Sequence, residues 1–320
     1  MNSVVAFTPR AVTLPGDIVS LCQQYLTDMA VKNYQPNTLT AYRIDLEQFT
    51  GYCGQRDVSL VQHVTNQLID DYLTALLQGE GLRPRTVARK LETLRGLLRF
   101  SVRRGLISTN PGDDVTPPRW HTAPVIAPDA DVCMNIIESI AVDTPLGIRD
   151  RALFTLMYEG ALRVSSLINL DLHDPNNPPA NAVRPNGLIN YVAKGGRAET
   201  SCCGEVALRR LDAWLRIRHG FANRNTGLAL FISMRGLRIS RASVLARIKL
   251  HAEAINVTDM TNHKLRHRRG GEVLEKAGVR AASSLLGHKS PSVTMNVYGH
   301  HDPERTRHQV RELAPVEWGG

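Results

Sequence analysis

Residues 262–298 read NHKLRHRRGGEVLEKAGVRAASSLLGHKSPSVTMNVY, and the chain around them is best understood outward from that stretch. Its spacing predicts helices over 262–277 and 279–286. A third follows, capped by Ser290 with Pro291 in its first position, and Tyr298 closes it. The stretch also concentrates reactive polar groups: His263, Arg266 and His267 lie near one end, and His288 lies ten residues before Tyr298.

Upstream, from about Asp129, the pattern is mixed α and β. Arg149 to Leu170 reads as helix broken near Gly160. Leu188 to Val192 reads as a short strand, Lys194 to Gly196 as a turn and Ala198 to Cys203 as a return strand. Val206 to Arg218 is helical, with Leu208, Leu211 and Leu215 on one face. Leu228 to Ile232 is a short apolar stretch, and Ser240 to Ile255 is again helical.

The first part of the chain is helical throughout. One amphipathic helix carries Ile18, Leu21, Tyr25 and Met29. A second starts near Asn37 as its cap and carries Leu39, Tyr42, Leu46 and Phe49. A third starts near Thr65 and ends at Gly79 and Gly81. The fourth opens at Pro84 and buries Val87, Leu91, Leu94 and Leu98. Its other faces carry Arg85, Arg89, Lys90, Arg95, Arg99, Arg103 and Arg104 against the single acid Glu92. Charges of one sign repel one another unless an anion neutralises them, so this helix is the candidate contact to a DNA backbone. A merely solvated face is the plainer alternative.

Residues 111–128 hold five prolines and read as a stiff linker, in which Arg119 and His121 could also meet a phosphate. The expected division is an extended N-terminus (1–14), a helical DNA-binding domain (15–110), the linker, a catalytic domain (129–302) and a tail (303–320). The tail carries Arg305, Arg307, Val310, Arg311 and Leu313; it reads either as a short helix docking on a neighbouring protomer or as a frayed end. Too few residues precede Ile18 to form a further DNA-binding domain, so a simple two-domain arrangement is expected.

Across 320 residues the net charge is +9 and the hydrophobic content is 42%. The first value favours a polyanionic partner; the second is that of an ordinary folded chain. The five cysteines include no CxxC pair, which points to a reduced, cytoplasmic protein. No signal peptide and no membrane-spanning run is evident.

Four short stretches stand out together: Gly160-Ala161-Leu162-Arg163, Val192-Ala193-Lys194-Gly195-Gly196-Arg197, His263-Lys264-Leu265-Arg266-His267, and Leu285-Leu286-Gly287-His288 followed by Tyr298. Singly, each has a plain structural explanation. Arg163 could be a surface ion-pair partner and Lys194 a solvated turn residue. His288 could cap a helix, and Tyr298 could be half-buried packing. His263 and His267 are four apart, but no Glu follows His263, so the zinc-protease pattern fails and no metal site is expected.

Taken in order, the set resembles the signature of the tyrosine recombinase (phage integrase) family: Arg, Lys, His-x-x-Arg, His and Tyr. The resemblance runs from about Ile18 to His300. It implies a mainly α fold with a small β-sheet: a helical, SAM-like core-binding domain followed by a mixed α/β catalytic domain. By similarity, Arg163 and Arg266 grip the scissile phosphate. His263 hydrogen-bonds it or acts as base, and His288 donates to a non-bridging oxygen. Lys194 is the general acid and Tyr298 the nucleophile. No cofactor is implied. The expected partner is a double-stranded recombination site, held by a tetramer clamped around DNA, with an accessory DNA-binding protein as a further candidate.

The activity implied is site-specific strand exchange through a 3′-phosphotyrosyl link, on a mobile element or in cointegrate or dimer resolution. A type IB topoisomerase or a catalytically silent accessory protein are the alternatives. Two departures from the family pattern stand out. Ser166 occupies the position, three after the first arginine, where an acid is usual, so another group must orient Arg163. Ala161 stands where glycine is frequent.

Overall fold

In the computed structural model, residues 16–120, 128–193, 196–288 and 290–298 are described, residues 296–298 for their backbone only. The expected N-terminal extension 1–14, His121, Lys194 and the tail 303–320 lie outside the described residues. The chain divides into two compact units, Met1–Ala123 and Pro124–Gly320.

The first unit is built on α1 (Ile18–Val31), α2 (Pro36–Gly54), α3 (Asn66–Thr74) and α4 (Pro84–Arg103). Asp17 caps α1, its Oδ2 accepting from the Ser20 amide at 2.7 Å, and Thr65 caps α3 in the same way. The start of α2 falls earlier than expected. Pro36 occupies the first turn behind Gln35, and Asn37 lies inside the helix, because proline's fixed φ is already helical. A single wide turn, Ala75–Gly79, extends α3.

The α4 stripe Val87, Leu91, Leu94 and Leu98 is fully buried against Leu21, Phe49 and Tyr72. Gly96 is required on the same helix: a Cβ there would stand 2.2 Å from the Tyr25 hydroxyl. The stretch expected as linker starts later than its prolines suggest. Val115 is buried in this core, and Arg95 holds the backbone there, donating from Nε to Gly112 O (2.8 Å) and from Nη2 to Val115 O (2.6 Å).

The second unit contains α5 (Ala130–Glu138), α6 (Pro145–Glu159), α7 (Val164–Ile168), α8 (Glu205–Arg218), α9 (Arg241–Glu253), α10 (Asn262–Leu286) and α11 (Pro291–Tyr298). A three-stranded antiparallel sheet accompanies them: β1 (Ala182–Val183), β2 (Leu188–Val192) and β3 (Ala198–Cys202), in that order. The β2–β3 hairpin pairs Leu188 with Cys202 and Val192 with Ala198. Alternation turns Ile189, Tyr191 and Ser201 inward.

Helix α6 is buried along most of its length and packs on α8, where Trp214 is fully enclosed and donates to Leu230 O at 3.0 Å. Asp150 anchors the other end of α6. It accepts from Arg149, Arg247 and His251, which joins α6 to α9. Helix α10 breaks at Gly278 (φ 80°), matching the two helices expected from its sequence. Neither α5 nor β1 was expected. The apolar stretch 228–232 forms only isolated bridges, of Ala229 with Asp171 and of Ile232 with Arg238.

Candidate active site

Two helix ends supply the platform. Helix α6 stops at Gly160, where a Cβ would lie 2.8 Å from Ile189. Ala161 then takes a left-handed φ of 44°. The amides of Ala161 and Leu162 turn back to Tyr158 O and Met157 O, both at 3.0 Å. Helix α10 stops in the same way: Gly287 is left-handed (φ 58°), and the amides of Gly287 and His288 return to Ser284 O and Ser283 O at 3.1 and 3.0 Å. This double return satisfies carbonyls that a helix end would otherwise leave open. Arg163 follows the first turn and His288 belongs to the second.

Arg266 joins the two. Its side chain is 3% exposed, and its guanidinium donates from Nη1 to Ala161 O and from Nη2 to Leu286 O (2.7 Å). A planar fork with a permanent charge suits the task, because both carbonyls lie at the negative end of a helix. The α6 turn is pinned from a second side, where Ser201 Oγ on β3 donates to Gly160 O at 2.7 Å. Behind it, Tyr158 Oη donates to the buried Glu272 of α10 at 2.6 Å, and Arg268 and Arg269 pair with the same carboxylate.

Arg163 is exposed, and among the described residues its guanidinium has no ion-pair partner. Ser166, at the position where the family pattern has an acid, is buried and supplies none. His263 occupies the first turn of α10, three residues before Arg266, and its ring meets His267 edge-on at 6.3 Å. Lost hydration, followed by the charges of Arg266 and Arg163, holds the His263 pKa below its ordinary value.

The same causes in the same order push His288 down to about 4, opposed weakly by Glu199. Each imidazole therefore senses both guanidiniums, which places Arg163, His263, Arg266 and His288 in one electrostatic neighbourhood. Both rings are neutral at pH 7. Among the described residues no cluster of His, Cys, Asp or Glu could hold a metal.

The β2–β3 loop carries Lys194, outside the described residues; its described flanks close through Ala193 N to Arg197 O at 2.7 Å. Tyr298 is the last residue of α11, and its side chain also lies outside the described part.

Several groups of this site are not evident in the sequence. His288 Nδ1 lies 2.8 Å from Thr294 Oγ1, which lies 2.8 Å from Ser283 Oγ. Glu199 lies against Gly287, so close that a Cβ there would overlap its carboxylate, and it accepts from Arg197 Nε at 2.8 Å. Tyr191 is buried beside them, its hydroxyl without a partner among the described residues. No local pattern marks these residues; they meet only through tertiary packing.

The α4 cations divide into two groups. Lys90 is buried and donates to Asp45 at 2.9 Å. Arg89, partly exposed, forks onto the same carboxylate, and Arg95 is spent on the backbone beyond α4. Arg85, Arg99 and Arg103 are exposed, with Arg99 no closer than 4.0 Å to Glu92.

Comparison with known proteins gives a consistent answer. Residues 129–305 match the phage integrase family, and residues 22–105 match the phage integrase N-terminal SAM-like domain. The chain is 34% identical over 267 residues to tyrosine recombinase XerC of Pseudomonas putida, covering 83% of this chain and 86% of that protein. It is 33% identical over 273 residues to tyrosine recombinase XerD of Pseudomonas aeruginosa, covering 84% and 88%. Among solved structures, a lambda integrase (75–356) dimer bound to a COC′ core site superposes with a TM-score of 0.69 at 18% identity, over 89% of this chain and 97% of that one. XerH recombinase bound to a palindromic difH substrate superposes at 0.70 and 15%, over 92% and 83%.

Proposed function

Because the chain belongs to the phage integrase family of tyrosine recombinases, we propose that Arg163, Lys194, His263, Arg266, His288 and Tyr298 assemble on one DNA phosphate and carry out its transesterification. The protein is a site-specific recombinase, an enzyme that cleaves and rejoins DNA strands. The observation that carries the residue assignment is the Arg266 clamp. One guanidinium holds the turn that bears Arg163 and the turn that bears His288.

In this reading the Tyr298 phenol oxygen attacks phosphorus and its proton passes to His263, which is neutral at pH 7 and able to accept it. The bond to the 5′ oxygen breaks, and Lys194 supplies that oxygen with a proton. Negative charge grows on the equatorial oxygens. Arg163, whose exposed guanidinium has no acidic partner among the described residues, and Arg266 meet that charge without reorganising. His288 donates to a non-bridging oxygen. The product is a 3′-phosphotyrosyl link, which conserves the phosphodiester energy, and a 5′ hydroxyl of another strand reverses the step.

The partner is double-stranded DNA, held by a homotetramer around two duplexes, and an accessory DNA-binding protein completes the assembly. Arg85, Arg99 and Arg103 give the first unit its phosphate contacts. Arg89, Lys90 and Arg95 set the position of α4. The setting is a mobile element, or the resolution of cointegrates or dimers.

The test is a duplex nicked beside the target phosphate. Wild-type protein should become covalently attached and yield joint products between two duplexes. Tyr298→Phe should bind the duplex and form no adduct. Attachment by that variant would overturn the nucleophile assignment, and covalent attachment of the wild type without joint products would favour a topoisomerase.

A further inference from the structure

We propose that Thr294 is a positioning residue for strand cleavage: its hydroxyl fixes the tautomer of His288 with the ring proton on Nε2, and it ties that choice to the seating of α11. The proposal rests on the reading of His288 and Tyr298 given above.

The direction of the hydrogen bonds follows from counting protons. Thr294 is fully buried (0% exposed), with Oγ1 2.8 Å from His288 Nδ1 and 2.8 Å from Ser283 Oγ. A hydroxyl has one proton to give, so it can donate to only one of the two; if it accepted from both, its own proton would be buried with no acceptor among the described residues. Ser283 is also buried, and among the described residues Thr294 is the only hydrogen-bond partner of its side chain. A buried hydroxyl proton needs an acceptor, so Ser283 donates to Thr294. Thr294 then donates to Nδ1, which must be the acceptor nitrogen of the ring. In a neutral imidazole the proton accordingly resides on Nε2. The ring is neutral at pH 7, being half-buried beside Arg266 and Arg163.

A His288 that is to donate to a phosphate oxygen needs this tautomer; the other would present a lone pair to an anion. The three groups come from three pieces of chain: Ser283 from α10, His288 from the turn after it, Thr294 from α11. Tyr298 follows Thr294 by four residues, one turn along the same helix. Withdrawing α11 from α10 removes the Thr294 hydroxyl from Nδ1. The donor for the phosphate is thus set only when the helix of the nucleophile is in place.

The test compares Thr294→Val, which keeps the volume and loses the hydroxyl, with Thr294→Ser, which keeps the hydroxyl. Nitrogen-15 spectra of the histidine-labelled full chain without DNA, with the His288 signals assigned by their loss in His288→Gln, report the tautomer directly. Wild type and Thr294→Ser should show the Nε2–H form, and Thr294→Val a mixture.

On the nicked duplex, Thr294→Val should cleave roughly 10-fold more slowly with DNA affinity unchanged, and Thr294→Ser should recover most of the rate. A wild-type tautomer in Thr294→Val, or a changed tautomer with a wild-type rate, overturns the proposal. Wild-type cleavage by His288→Gln would instead overturn the reading beneath it, whatever the spectra show. Should Thr294→Val not fold, Thr294→Ala, which also lacks the hydroxyl and has a smaller side chain, is read in the same way; an unchanged spectrum there overturns the proposal equally.

Discussion

Arg266 donates from Nη2 to the carbonyl of Leu286 at 2.7 Å, and so a residue near the start of α10 holds that helix's far end across the break at Gly278. Arg163 has no such engagement among the described residues. The two arginines should therefore separate cleanly on substitution. Arg266→Ala leaves two buried carbonyls without their donor and should cost roughly 2–4 kcal/mol of stability. Arg163→Ala should change stability by less than about 0.5 kcal/mol. Both should lose ~10²–10³ in single-turnover cleavage. Urea unfolding beside cleavage of a nicked duplex checks the pair; equal stability losses would contradict the clamp.

Acid should weaken the fold through His288. Its folded pKa of about 4 lies below its ordinary value of 6.5, so the unfolded chain binds the proton more readily between those limits. Stability from this group is complete above about pH 6.5 and is lost as pH falls toward 4. The drop in urea midpoint from pH 7 to pH 5 should be smaller in His288→Gln than in wild type. An identical drop would count against the shift.

Tyr191 buries a hydroxyl with no partner among the described residues. Tyr191→Phe removes a desolvated polar group without changing the packing, so stability should hold or rise by about 1 kcal/mol. A loss above that, measured by urea, would mean the hydroxyl is engaged.

The α4 cations should respond in two ways. Arg85→Ala, Arg99→Ala and Arg103→Ala should each weaken DNA binding across sequences and reduce the salt slope by about 1, with stability unchanged. Lys90→Met takes a partner from the buried Asp45 and should cost about 2 kcal/mol in urea with a smaller effect on the salt slope.

Lys194 can be tested by relieving the need for an acid. A bridging sulfur in place of the 5′ oxygen leaves as a thiol, whose pKa is near 8.5. Lys194→Ala should cleave the ordinary duplex poorly and the sulfur duplex at close to the wild-type rate. Failure to recover would remove Lys194 from the role of acid.

Much of the molecule is readable from local spacing. The Val87–Leu98 stripe, the break between residues 277 and 279, the hairpin around residue 194 and the Ser290–Pro291 start each depend on a few neighbouring residues. What spacing hides is pairing at a distance. Asp45 lies 44 residues before Arg89, and nothing local marks it as the group that immobilises Arg89 and Lys90. Arg266 was assigned to the phosphate from its motif, yet its burial and its two carbonyls belong to tertiary structure. The absent acid at Ser166 is likewise not replaced by a new ion pair, since Arg163 gains none among the described residues; the turn that carries it is anchored through its backbone instead.

That anchoring has a consequence for how the protein can vary. The turns that carry Arg163 and His288 are held to Arg266 through main-chain oxygens, which every amino acid possesses. The clamp itself therefore does not depend on which side chains Ala161 and Leu286 carry. The changes not tolerated are those of chain length: one residue added to or deleted from the turns at Ala161 or Gly287 would carry the carbonyl out of the guanidinium's reach.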